Sequence, residues 1–187
     1  EGDNFLGGAD FDQMIVEKVV IPKICEEYNF TNLEDEMKSA SGKFNAKYYV
    51  LLRRAEEAKI TLSSKTSAEI VVDGFEDENG NEVDMEITIT RSELNDLIKS
   101  NIDGTIEMIK QILTRNSLKP SDLQFNLMVG GSTYIPYVRS RVEEVLQIPV
   151  NCEIDPTTAV AVGAAYYAAT KPKEIEKGTG GKKQTSI

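Results

Sequence analysis

The chain has 187 residues, a formal net charge of −10, two Cys, no His and no Trp. Without His there is no Ser-His-Asp triad, no Cys-His dyad and no imidazole zinc site, and two Cys cannot build a disulfide framework. An acidic chain repels phosphate backbones, so no nucleic-acid partner is expected.

In chain order, Gly7-Gly8 precedes Asp10, a good N-cap, and Phe11, Ile15 and Val19 follow at helical spacing. Pro22 is expected to end or kink that helix, because proline lacks an N–H and clashes with the preceding turn. A second helix is predicted from about Phe44 to Leu62. Ala68, Ile70 and Val72 alternate with Glu69, Val71 and Asp73, and Val83, Met85, Ile87 and Ile89 alternate with Asp84, Glu86 and Thr88 to give one clean apolar face. Asn79-Gly80 between the two runs signals an antiparallel hairpin. A helix from about Ser92 to Arg115 carries Leu94, Ile98, Ile102 and Ile106, with Ser92 as its cap and Gly104 as a bend or break. Phe125, Leu127 and Val129 predict a short buried strand that runs into Gly130-Gly131. Ser132 or Thr133 is expected to cap a helix reaching Leu146, and Val150 to lie in a return strand. Asp155-Pro156 opens a last helix, Ala159 to about Ala169, whose small side chains suit close approach to a neighbour. Residues 173–187 read as a flexible tail.

No apolar run approaches the roughly 18 residues that a membrane span needs. Glu1 to Phe5 do not resemble a signal peptide, so the expected location is cytoplasmic, with Cys25 and Cys152 as reduced core thiols. The sequon Asn29-Phe30-Thr31 carries little weight in that setting. The acidic clusters at residues 34–36 and 76–78 lack the spacing of a calcium loop and read as solvated surface. No metal ligand set is expected.

Three patterns bear on chemistry. Val129-Gly130-Gly131-Ser132-Thr133 lies between a strand and a helix, a normal place for a nucleotide, although Gly-Gly before a helix is commonly a plain turn. Leu6-Gly7-Gly8 feeds another helix, and two such turns can face one ligand or be unrelated. Glu56, Lys59 and Ser63 share one helical face, where a carboxylate, an ammonium and a hydroxyl suit a ribose; the plain alternative is an exposed salt bridge. No P-loop lysine follows either glycine pair. The residues alone therefore give a nucleotide-facing half-site without catalytic machinery.

Four stretches occur in order: LGGADFD at residues 6–12, RAEEAKITLSS at 54–64, VGGSTYIP at 129–136 and DPTTAVAVGAA at 155–165. Together they resemble the ATPase domain of DnaK-type chaperones, the heat-shock protein 70 family, across about residues 3–170. The resemblance implies an α/β fold: an α+β upper lobe over residues 1–98, then part of an actin-like, ribonuclease H-like ATPase lobe over 99–172. It further implies that the phosphate turns and catalytic lysine precede Glu1, so this chain supplies no catalytic residue and does not turn over ATP alone. In the full-length parent the ligand is ATP or ADP with magnesium, and the fragment itself requires no cofactor.

Carried over by motif, Glu56 and Lys59 hold the ribose, and Ser63 lies near the adenine. Gly131 and Ser132 form the turn around base and ribose, Ile135 lines the pocket, and Gly8 lies beside sugar and phosphates. Tyr134 stands where the family has an arginine stacked on adenine. Ile60 stands where eukaryotic relatives have a second arginine, which points to a bacterial source. Ala9, Thr157 and Thr158 replace acidic residues common in the family. The implied partners are a GrpE-like nucleotide-exchange factor, a J-domain cochaperone and unfolded clients in a stress response. The rival readings are a non-chaperone actin-like ATPase and a degenerate member that acts as a protein-binding scaffold.

Overall fold

The computed structural model describes Gly2, residues 6–151 and residues 155–171. The expectations for Cys152 and for the tail after residue 172 therefore lie outside the described residues. Helix α1 (Gly8–Ile15) passes through a π-helical segment, Val16–Val20, into α2 (Ile21–Glu27). Pro22 does not end the helix, contrary to expectation. It lies just after the wider π turn Val16–Val20, which changes the hydrogen-bonding ladder where the proline lacks its N–H. Asp10 is not the cap of α1. Gly7 is the N-cap, and the Asp10 carboxylate reaches back to accept its N–H at 2.6 Å.

Helix α3 (Leu33–Lys38) lacks a sequence signature of its own; its acidic first turn, Glu34 to Glu36, suits a helix N-terminus. Helix α4 (Asn45–Ser64) buries Tyr48, Leu51, Ala55, Ala58, Lys59 and Leu62, a single stripe at spacings of three, four and one. It packs against α1, α3 and the hairpin.

The hairpin forms as expected. Strand β1 (Ser67–Glu76) pairs antiparallel with β2 (Glu82–Thr90), so Ala68, Ile70 and Val72 face Ile89, Ile87 and Met85 across the ladder. The register shifts at Gly74, whose φ of +75° is open to glycine and strained for other residues. The connection is a longer loop than a two-residue turn. The Asp77 carboxylate organises it by accepting from the N–H groups of Asn29, Asn79 and Asn81 and from the Asn81 amide. Those bonds hold the Asp77 pKa below the usual carboxylate value, the Asn81 side chain contributing most.

Helix α5 (Arg91–Arg115) is capped by Thr90, not Ser92. Thr90 Oγ1 accepts the Glu93 N–H at 3.2 Å and Glu93 Oε2 accepts the Thr90 N–H at 2.7 Å, a reciprocal capping box. The helix runs unbroken through Gly104, because Leu94, Ile98, Ile102 and Ile106 on one face are buried and outweigh the cost of one glycine, about 1 kcal/mol.

The remainder is more open. Strand β3 (Asn126–Leu127) pairs in parallel with β4 (Val150–Asn151), and only two residue pairs form. Phe125 is 61% exposed, and Leu127 and Val129 are exposed as well, so the apolar face expected to be buried is exposed, while Asn126 between them is buried. Helix α6 (Pro136–Leu146) starts after a 3₁₀ turn, Gly131–Tyr134, with Ile135 as N-cap; neither Ser132 nor Thr133 caps it. Helix α7 (Ala159–Ala169) has the expected bounds but no buried residue, and Tyr166 is 74% exposed. No described element packs closely on its small side chains. Cys25 is exposed on α2, not in the core. No described helix is long and apolar enough to cross a membrane.

Two predictions follow from capping and from the hairpin loop. Thr90→Ala removes one half of the α5 capping box and is expected to lower unfolding free energy by about 1 kcal/mol in urea titrations. Asp77 has a depressed pKa when folded, so its contribution is complete above the ordinary carboxylate value and is lost as pH falls through the folded one. Urea midpoints of wild type and Asp77→Asn, measured from pH 6 down to 2, are expected to differ most at the high end and to converge towards the low end.

Candidate functional site

The first turn of α1, the C-terminal half of α4 and the 3₁₀ turn border one cavity of about 870 Å³. All nine residues singled out from the sequence line it: Gly8, Glu56, Lys59, Ile60, Ser63, Gly131, Ser132, Tyr134 and Ile135. They come from three motifs far apart in sequence. Asp12, Gln13, Leu52, Arg53, Ala9 and Thr157 complete the wall.

Lys59 links α4 to α1. Its ammonium lies 2.7 Å from Asp12 Oδ1 and donates to the Gly8 carbonyl at 2.8 Å. Both side chains are 10% exposed. The exposed Glu56–Lys59 bridge offered as the plain alternative does not form. Lys59 turns inward to Asp12, and Glu56 stays exposed on the cavity wall with no salt bridge among the described residues. Desolvation by burial pushes the Asp12 pKa above the usual carboxylate value, and the hydrogen bond and charge of Lys59 oppose that shift.

Gly8 is closely surrounded. A Cβ there would stand 3.1 Å from Ser132 Oγ and 3.2 Å from Lys59 Nζ, so three elements converge on this one position. Gly130 has φ +102° and lets the backbone turn before Gly131. The turn is then tied down. Thr133 Oγ1 donates to the Gly130 carbonyl at 2.7 Å, and the Gly130 N–H donates to the Pro156 carbonyl at 2.9 Å.

Tyr134 is held from two directions. Its hydroxyl donates to Asp155 Oδ1 at 2.8 Å, and the Arg139 guanidinium lies 5.3 Å from the ring centre. The hydrogen bond to Asp155 raises the phenol pKa. Asp155 is lowered, chiefly by the Thr157 hydroxyl and then by the Thr157 N–H. Ile135 is buried, Ile60 is 61% exposed at the rim, and the Ser63 hydroxyl makes only a long 3.5 Å contact with the Lys59 carbonyl.

The charged lining residues are Asp12, Glu56, Arg53 and Lys59, two of each sign. Lys59 is neutralised by Asp12, and Arg53 lies 3.5 Å from Glu57. Such a wall is suited to a neutral, polyhydroxylated ligand with a flat apolar end. Among the described residues no three His, Cys, Asp or Glu gather as a metal set. Asp12 and Arg139 were not legible as site residues. The signal for Asp12 was its place four residues after Gly8, on the helix face that meets α4.

Breaking the buried pair from one side is expected to be costly. Asp12→Ala strands the Lys59 ammonium and should lower unfolding free energy by about 3 kcal/mol. Glu56→Ala, on the same cavity but exposed, should change it by less than about 0.5 kcal/mol. Equal effects of the two substitutions in urea titrations would contradict the inward orientation of Lys59.

Comparison with known proteins agrees with the motif resemblance. The family model described as Hsp70 protein matches residues 1–177. The chain is 34% identical over 174 residues to the chaperone protein DnaK of Mycoplasma mycoides, covering 93% of this chain and 28% of that protein. It is 36% identical over 174 residues to the DnaK of Mycoplasmopsis pulmonis, covering 93% of this chain and 27% of that protein. The DnaK of Metamycoplasma hominis is 34% identical over 175 residues, covering 94% and 28%. The chain thus spans little more than a quarter of the length of these relatives. With mixed helices and strands and a family match over nearly its whole length, the chain belongs to the Hsp70 family.

Proposed function

We propose that this chain forms the adenosine-contacting wall of an ATP- or ADP-binding cleft in a DnaK-like chaperone. The observation that supports it is the convergence of all nine motif residues on one cavity. In this reading Glu56 accepts hydrogen bonds from ribose hydroxyls. The Lys59 ammonium donates to the Gly8 carbonyl and is ion-paired with Asp12, and a remaining N–H serves the sugar. Gly8 admits the sugar and phosphates closely, because it has no Cβ. Gly131 and Ser132 border the base and ribose, Ser63 lies near the base, and Ile60, Tyr134 and Ile135 give it apolar surfaces.

The residues fit the nucleoside end of the ligand. Among the described residues no carboxylate set for magnesium gathers, and the buried cation is paired with Asp12. We therefore assign no magnesium ligand and no catalytic residue to this chain. In the parent, magnesium and the hydrolytic groups act from other residues, and this chain alone does not hydrolyse ATP. Magnesium-dependent hydrolysis by the pure chain, abolished by Lys59→Ala, would overturn that statement.

The same reading carries the remaining roles as proposals. Residues 1–98 form the upper lobe that a GrpE-like exchange factor grips, and 99–172 belong to the lower, actin-like lobe. A J-domain cochaperone and unfolded clients act on the parent, in the cytoplasm. Family membership leaves the non-chaperone actin-like alternative without support. The scaffold alternative draws on Tyr134 and the Thr157-Thr158 pair, and a titration decides between the cleft and the scaffold readings. ADP titrated into the full-length parent by calorimetry is expected to bind, and Glu56→Ala to weaken binding about tenfold or more through loss of charged hydrogen bonds. No heat at millimolar ADP favours the scaffold.

A further inference from the structure

We infer that Tyr134 makes the base end of the cleft a stacking platform that accepts purines without strongly selecting adenine. The inference rests on the nucleotide reading above. A side chain selects a base when it offers fixed donors or acceptors to the base edge. Tyr134 has one such group, its hydroxyl, and Asp155 already holds it at 2.8 Å. Asp155 is itself anchored by the Thr157 hydroxyl at 2.7 Å and the Thr157 N–H at 2.8 Å, so the hydroxyl is not free to turn.

What remains of Tyr134 is its ring. Arg139 stands over one face, 5.3 Å from the centre, and is fixed by its Nε–H donating to the Thr133 carbonyl. A flat ligand can therefore stack only on the other face. The cation behind the ring leaves its hydrogen-bond donors on the far side from such a ligand. The other residues assigned to the base end are Ile60 and Ile135, which have no polar side-chain atoms, Gly131, which has no side chain, and the serines Ser63 and Ser132. A serine hydroxyl rotates to donate or accept, so it suits the 6-amino group of adenine and the 6-oxo group of guanine alike. Stacking is tolerant of base identity because every base has a π-face. Apolar pockets reject analogues that differ by one polar group only weakly, by about a hundredfold at most, whereas sites built on paired hydrogen bonds reach about ten-thousandfold.

The experiment titrates the 187-residue chain with adenosine and with guanosine, for wild type, Tyr134→Ala and Tyr134→Phe. Wild type is expected to bind the two nucleosides within about tenfold of each other. Tyr134→Ala is expected to weaken both by about tenfold, the loss of one stacked ring, and Tyr134→Phe to stay within about threefold of wild type. Adenosine bound more than a hundredfold tighter than guanosine would overturn the inference while sparing the cleft. Unchanged affinity in Tyr134→Ala would do the same. If neither nucleoside binds wild type, the cleft reading itself fails, and this inference with it.

Discussion

The buried ion pair between Lys59 and Asp12 is the point on which the described fold turns. It is the one charged contact that joins the first helix to the long fourth helix at 10% exposure. Its ammonium also holds the Gly8 carbonyl, and Gly8 in turn has Ser132 against it. One cation thus joins two helices, and Gly8 brings the 130–135 turn against them. An ion pair so placed adds little net stability, because desolvation offsets most of the attraction. What it adds is position. Neither charge has another described salt bridge, so α1 cannot slide along α4 without stranding both.

The cavity follows from that geometry. The helix α4 places Glu56, Lys59, Ile60 and Ser63 on one side, since residues three and four apart share a face. The turn after Gly130 faces them, fixed by its own hydrogen bonds and by the link to Pro156. Burial is uneven around this site. The hairpin, α4 and the first half of α5 make a close-packed core, with Ile70, Ile87, Ile89, Leu94 and Ile98 almost fully enclosed. Beyond Leu118 the large apolar side chains are often exposed, and α7 buries none among the described residues. The cavity therefore lies where a closely packed region meets a sparsely packed one.

Much of this was legible in the sequence, and the reasons differ by element. The hairpin and α5 carry strict periods of two and of about four, and one buried face on each left no other register. Glu56, Lys59 and Ser63 were legible as a set because helical spacing alone puts them together. The partner of Lys59 was not. Local spacing offered Glu56, and only the packing of α1 on α4 offers Asp12, a contact across more than forty positions. Pro22 misled for a related reason: the rule that proline ends helices assumes a regular ladder, and the π turn before it changes the ladder. Ser92 lost to Thr90 because the reciprocal bond with Glu93 fixes the cap two residues earlier. Phe125, Leu127 and Val129 read as a buried strand from composition, but burial depends on what covers a strand, which composition does not encode.

The central claim is that α1, α4 and the 130–135 turn act as one nucleoside-binding wall. Amide chemical-shift mapping of the 187-residue chain during an adenosine titration tests it most directly. Shifts that grow together at Gly8, Lys59, Ser63, Gly131, Ser132 and Ile135, with a common midpoint, are the predicted result. Shifts confined to one of the three segments, or centred on the separate groove of Arg54, Thr61 and Val71, would contradict it.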